Sequence, residues 1–212
     1  KIVAKQLLDI KAVKLNPENP FTWASGWRSS IYCDNRRLLS YPESREDVCR
    51  RMADIITRNY PDVEVIAGVA TGAIAQGALV ADTLGLPYVY VRSTPKDHGL
   101  ENLIEGNLKP GQKVVVIEDL VSTGGSSLKA VQAIRNAGCE VVGMAAIFTY
   151  QFPIATEKFE EANVKLVTIG NYSSMLEAAV KINYIKESDI AALEEWRKDP
   201  ANWTPNTDRN AD

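Results

Sequence analysis

The sequence predicts an α/β fold: a doubly wound, mostly parallel five-stranded sheet flanked by helices, with a small N-terminal segment set apart from it. Three observations carry that expectation. Short runs of β-branched and apolar residues recur from residue 63 onward, and their continuity fits strands buried on both faces. Segments of helical spacing, about 10 to 15 residues long, alternate with them. The composition is that of an ordinary globular domain, 212 residues with 45% hydrophobic and 24% charged, enough to bury a sizeable core.

Residues 2–12 (IVAKQLLDIKA) have helical spacing and run into the turn cluster Asn16-Pro17-Glu18-Asn19-Pro20. Phe21 to Asn35 (FTWASGWRSSIYCDN) combines aromatic and β-branched residues with two small turns, which predicts a hairpin. Residues 1–40 therefore read as a cap rather than core. The main unit, 41–200, opens with a helix over Glu43–Tyr60, a strand over Val63–Gly68, a helix over Ala73–Leu84 stopped by Gly85, and a strand over Tyr88–Arg92. Further strands fall at Val114–Ile117, Val141–Phe148 and Lys165–Ile169, and a helix over Ser126–Ala137 is stopped by Gly138. Residues 174–197 carry one or two more helices, and the tail 201–212 reads as frayed. Between Arg92 and Val114 the alternation breaks. Ser93 to Gln112, rich in Pro, Gly and charge, stands where a helix belongs, and long structureless connections of this kind are usually functional lids.

Charge and cysteine usage exclude several classes. Lys plus Arg number 24 against 27 Asp plus Glu, a formal net charge of −3, so nothing global advertises a nucleic-acid or membrane partner. Residues 187–212 hold seven acidic and three basic side chains, so the acidic balance belongs largely to the tail. Arg28, Arg36, Arg37, Arg45, Arg50 and Arg51 are interleaved with Asp34, Glu43, Glu46 and Asp47 and read as a solvated face or a dimer surface. Cys33, Cys49 and Cys139 are too far apart for a Cys-x-x-Cys zinc site, and their odd number argues against a disulfide framework, which predicts a cytoplasmic protein. The apolar runs fall far short of the roughly 18 residues a membrane span needs, and Lys1-Ile2-Val3-Ala4-Lys5 lacks a signal-peptide core. Trp23, Trp27, Trp196 and Trp203 lack basic interleaving and read as packing or interface aromatics.

The strongest local signal is VVVIEDLVSTGGSS, Val114 to Ser127. A buried strand delivers Glu118 and Asp119 to its carboxyl end, where ligands bind in doubly wound sheets. Ser122 to Ser127 then form a small, hydroxyl-rich loop running into an amphipathic helix. Glycines permit close backbone approach, and a helix N-terminus offers unpaired N–H groups, so the loop suits one phosphate group. The acidic pair repels phosphate and suits vicinal sugar hydroxyls or a divalent cation. The plainer alternative is an ordinary Ser/Thr helix cap. No Gly-Lys-[Ser/Thr] follows the glycines and no GxGxxG is present, so neither a Walker A loop nor a dinucleotide turn is at hand. A second strand-to-helix loop, Gly68-Val69-Ala70-Thr71-Gly72-Ala73, could turn backbone N–H groups toward an anion, and is by itself a weaker signal. His98 is the sole histidine.

The segment VVVIEDLVSTGGSS resembles the phosphoribosyl-pyrophosphate signature of type I phosphoribosyltransferases. Tyr90 to Gly99 (YVRSTPKDHG), followed by Ile104-Glu105-Gly106, resembles the mobile catalytic loop of the orotate phosphoribosyltransferases. Phe21 to Gly26 and Ser30 to Arg36 resemble that family's N-terminal hood, and the likeness runs from about residue 3 to 200. It implies the type I phosphoribosyltransferase fold, with residues 1–40 as helix and hood over the base site. It also implies transfer of ribose 5-phosphate from 5-phosphoribosyl 1-pyrophosphate to orotate in pyrimidine (UMP) biosynthesis, with Mg²⁺ bound mainly through the pyrophosphate and no metal-ligating set in the protein. By the same resemblance Arg92, Lys96, His98 and Asp119 are catalytic. Glu118, Asp119, Leu120, Val121, Ser122, Thr123, Gly124, Gly125 and Ser126 bind phosphoribosyl pyrophosphate together with Thr71, Gly72, Arg92, Lys96 and His98, and Ser122 touches orotate. The catalytic loop reaches into the neighbouring subunit of a homodimer. Ala24, Gly72, Ser93 and Thr94 stand where various members carry lysines, and Tyr150 lies near a position where many carry an arginine. Two alternatives share the signature. A phosphoribosyltransferase for a purine would lack this loop and hood, and a non-catalytic phosphoribosyl-pyrophosphate sensor would show a DNA-binding module or basic surface.

Overall fold

A computed structural model describes residues 1–95 and 103–204. Helix α1 (Ile2–Asp9) turns one apolar face inward and buries Val3, Ala4, Leu7 and Leu8. It ends at Asp9, short of the predicted residue 12, because residues 10–12 form a turn with Lys11 at φ +57° before the chain enters a strand at Val13. Four short strands follow: β1 (Val13–Leu15), β2 (Phe21–Thr22), β3 (Arg28–Ser29) and β4 (Ile31–Cys33). β2 and β3 form the expected hairpin, with Phe21 opposite Ser29, while β1 pairs antiparallel with β4. Val3, Leu7, Leu8, Ile10, Val13, Leu15, Ile31 and Leu38 all join the same buried apolar cluster as the sheet. The expectation that residues 1–40 form a cap rather than core is thus corrected: their apolar side chains close one end of the main core.

After a 3₁₀ turn over Asn35–Ser40 comes helix α2 (Pro42–Asn59), with proline in its first turn, where no N–H is needed. The remaining elements are β5 (Val65–Val69), α3 (Ile74–Leu84), β6 (Tyr88–Val91), β7 (Ile104–Glu105), β8 (Lys113–Val121), α4 (Gly125–Asn136), β9 (Glu140–Thr149), α5 (Pro153–Glu161), β10 (Leu166–Asn171), α6 (Tyr172–Lys181) and α7 (Ile190–Lys198). The sheet has six strands in the order β10-β9-β8-β5-β6-β7, parallel throughout except for β7. The doubly wound, mostly parallel architecture is therefore as predicted, with one strand more than five. β7 consists of two residues at the edge, inside the segment read as a structureless lid, and so short a strand leaves no periodicity to detect. Helix α5 also escapes the sequence reading. β8 runs on to Val121, so Glu118 and Asp119 lie within the strand rather than beyond it.

The interleaved charges behave as the composition suggests: Asp47 pairs with Arg50 and Arg51, and Asp34 with Arg36. The tryptophans pack as expected. Trp23 lies 5.1 Å from Tyr150 and 5.6 Å from Trp196 between ring centroids, and Phe152 lies 5.4 Å from Trp196. The buried Trp196 indole donates to the Arg28 carbonyl (3.0 Å), which fastens α7 to the N-terminal hairpin. No helix among the described residues is long and apolar enough to cross a membrane.

Candidate active site

The chain passes from β5 through α3 to β6 on one side, then returns to lay β8 on the other side of β5. That reversal opens a crevice at the carboxyl ends of β5 and β8, the place where open α/β sheets bind ligands. Pairing of β5 with β8 stops at Gly68 opposite Ile117, whereas β8 stays paired with β9 as far as Val121 opposite Thr149. Glu118 to Val121 therefore overhang with no strand on the β5 side. Backbone groups that lose a strand partner must find another. The Asp119 N–H donates to Glu118 Oε1 (3.0 Å), and the Asp119 carbonyl accepts from the Asn35 amide (2.8 Å).

Glu118 is 4% exposed, and its second oxygen accepts from the Ser127 hydroxyl on α4 (2.9 Å). Burial first, and then the adjacent Asp119 carboxylate, push the Glu118 carboxyl well above the usual carboxylate range. The two acidic residues are thus unequal. Glu118 has both oxygens engaged internally, and half-buried Asp119 faces the loop after β5. A Cβ at Gly72 would overlap the Asp119 carboxylate, so glycine lets this loop close on the overhang with that carboxylate in place. The Ala70–Thr71 peptide in the loop is cis. The loop's exit into α3 is pinned by the Tyr88 hydroxyl, which donates to the Ile74 carbonyl (2.6 Å).

Ser122 to Gly124 connect β8 to α4, with Gly124 at φ +86°, a left-handed conformation that side chains disfavour. No side chain caps α4, so the ordinary Ser/Thr cap considered above is not formed. Its first-turn N–H groups and positive dipole end are left for an anion. Ser122 and Thr123 are half-buried and Ser126 is exposed. Val121 is fully buried, and its carbonyl accepts from the Tyr150 N–H (3.2 Å), so neither its side chain nor its carbonyl faces the crevice freely.

Arg92 sits at the root of the excursion between β6 and β7. Its N–H donates to the Leu103 carbonyl (2.7 Å) and its guanidinium lies 3.5 Å from Glu105, so the feet of the excursion are tied together. A cleft of about 390 Å³ beside the crevice joins the loop after β5 (Ala70), the root of the excursion (Arg92, Ser93) and the length of α4 from Ser126 to Asn136; Asp119 and Gly72 do not line it. Lys96 and His98 lie outside the described residues. Lys129 was not singled out from the sequence, Ser127 was read only as part of the hydroxyl-rich loop, and Asn35 only within the hood segment. Asp34-Asn35 after a strand signals a turn, but nothing local announces a contact with residue 119.

Comparison with known proteins agrees with this geometry. The family model described as "Phosphoribosyl transferase domain" matches residues 39–175. The orotate phosphoribosyltransferase of Phocaeicola vulgatus is 64% identical over 203 residues, 96% of each chain. The crystal structure of orotate phosphoribosyltransferase from Aeropyrum pernix superimposes with a TM-score of 0.76 at 30% identity, covering 86% of this chain and 99% of that one. That of the Mycobacterium tuberculosis enzyme in complex with 5-phospho-α-D-ribosyl 1-diphosphate gives 0.65 at 26% identity, covering 82% and 98%. A switch-point crevice with an acidic overhang and an uncapped helix start, in a chain this close to named relatives over almost its whole length, leads to one assignment: the chain belongs to the orotate phosphoribosyltransferase family.

Proposed function

We propose that this chain transfers the ribose 5-phosphate unit of 5-phosphoribosyl 1-pyrophosphate to orotate, giving orotidine 5′-phosphate and pyrophosphate, with the crevice at the ends of β5 and β8 as its site. The observation that carries this reading is the closure of the Gly72 loop on the Asp119 carboxylate, beside a helix start with no side-chain cap. The α4 N–H groups and the Ser122–Ser126 loop take the 5′-phosphate. Asp119 takes the ribose hydroxyls, and Glu118 backs it. Backbone N–H groups around Thr71 and Gly72 face the diphosphate.

Departure of pyrophosphate leaves an oxocarbenium-like sugar, so negative charge growing on the leaving group must be stabilised and water excluded. Arg92, Lys96 and His98 answer the first need, and the 93–112 segment answers the second. Deprotonated orotate is already a nucleophile, so the attack needs no general base, and His98 serves as a hydrogen-bond donor to phosphate. Ser122 touches orotate, and the N-terminal hairpin covers the base. Among the described residues no group of three His, Cys, Asp or Glu side chains gathers as a metal cage. Asp119 offers the hard oxygen donors that suit Mg²⁺, the rest of whose ligands would come from the substrate's own phosphates and water. When bound, the ion neutralises charge on the diphosphate.

Purified protein with Mg²⁺ and phosphoribosyl pyrophosphate is expected to consume orotate, followed as loss of its ultraviolet absorbance. No loss, with ribosylation of a purine instead, would sink the reading. Lys96→Ala is expected to cut turnover far more than it weakens phosphoribosyl pyrophosphate binding, because its contact matters chiefly as leaving-group charge develops. Equal losses would point to simple ground-state binding. We further propose a homodimer in which this loop serves the neighbouring site. Mixing Lys96→Ala with Asp119→Asn subunits is then expected to restore part of the activity, and no recovery in proven mixed dimers would remove the claim.

A further inference from the structure

We infer that Asn35 is a positioning residue for the reaction: its amide stands in for the missing strand beside the β8 overhang and sets where the Asp119 carboxylate points. The inference rests on the functional reading above and names a residue that reading does not use.

Pairing of β8 with β5 stops at Ile117 opposite Gly68, so two residues later the Asp119 carbonyl has no paired strand to accept from on that side. An unpaired carbonyl there would draw in water or let the strand end twist. Asn35 comes from the far end of the chain, 84 residues away, and donates to that carbonyl at 2.8 Å. It is 4% exposed, one of few buried polar side chains. Its own oxygen accepts from the Cys33 thiol (3.3 Å), so both ends of the amide are engaged and its orientation is fixed. The backbone beneath it is fixed too. Asn35 opens a 3₁₀ turn whose N-cap, Asp34, accepts from the Arg36 N–H.

The consequence lies in how Asp119 is held. Asn35 grips its carbonyl, Glu118 its N–H, and Gly72 crowds its carboxylate. Removing the Asn35 donor leaves the strand pairing with β9 intact but frees one of the three restraints on the residue that meets the ribose. Since β4 leads directly into Asn35, the same bond couples the seating of the N-terminal hairpin to the geometry at the sugar. A misplacement of the order of 1 Å at a reacting group costs up to about 100-fold in rate.

The test uses the full chain. Asn35→Ala and the near-isosteric Asn35→Asp, which keeps the shape and replaces the amide donor, are each made both in the wild-type protein and in the Asp119→Asn protein. Either variant is expected to lower kcat by roughly 10- to 100-fold while the KM for orotate moves less than about threefold, with the melting temperature near wild type. Binding of phosphoribosyl pyrophosphate alone, measured by calorimetry without orotate, is expected to weaken in the Asp119 protein and to change little further in the Asp119→Asn protein. If the loss is the same in both backgrounds, or if orotate KM rises with kcat unchanged, Asn35 does not act through Asp119 and the inference falls. If wild type fails to turn over orotate, the functional reading fails instead, and the calorimetric comparison still decides the role of Asn35. Should Asn35→Ala not fold, Asn35→Asp carries the comparison.

Discussion

Gly72→Ala is expected to abolish most activity while leaving the fold in place. Gly72 does not sit in the left-handed region, so alanine meets no backbone penalty, and the change in stability stays within about 1 kcal/mol. The added methyl would meet the Asp119 carboxylate, the far end of a side chain, which can swing away. What gives is therefore the carboxylate proposed to meet the ribose and not the sheet. A carboxylate rotated off the ribose hydroxyls is expected to cost on the order of 100-fold in kcat/KM. Steady-state kinetics alongside a thermal melt separate the two effects. Activity within a few-fold of wild type would mean that the contact between the Gly72 loop and Asp119 has no part in the reaction.

Trp196→Ala is expected to give the largest loss of stability, about 3 to 5 kcal/mol, as is usual when a fully buried aromatic is truncated. Trp196 has no exposed surface, touches the rings of Trp23, Tyr150, Phe152 and Tyr172, and holds the Arg28 carbonyl. In a chain of this size that loss lowers the melting temperature by roughly 10 °C. Because the cluster joins α7 to the N-terminal hairpin, the KM for orotate is expected to rise in the surviving protein, the hairpin being the proposed cover of the base. Chemical denaturation measures the first effect, and kinetics below the new melting temperature the second. A loss under about 1 kcal/mol would show that the C-terminal helix is not a structural part of the site.

Much of the architecture was legible because parallel strands buried on both faces write themselves as unbroken apolar runs. VVVI at 114–117 and VIAGV at 65–69 are of this kind, and the glycines at 85 and 138 marked where helices stop. Two-residue β7 left no such trace. Its strand character comes from pairing Ile104 and Glu105 with Val91 and Tyr90, a long-range event with no local period. The 1–40 segment misled for a related reason. Its aromatic, turn-rich pattern describes a hairpin correctly, but whether a hairpin is cover or core depends on what packs beneath it.

The same division runs through the site. The sequence by itself determined the chemistry on offer: an acidic pair at a strand end, a hydroxyl-rich loop opening a helix, and a second glycine loop, each specified within a handful of adjacent residues. Tertiary structure alone decided which of these act together. β8 runs four residues past its last pairing with β5, and from that overhang follow the engagement of Glu118 by Ser127, the exposure of Asp119 to Gly72, and the need for Asn35. Strand length relative to a neighbour is fixed by pairing between distant segments. No window of sequence contains both sides of that comparison, which is why two adjacent carboxylates that read alike in the chain differ in burial and in hydrogen-bond partners.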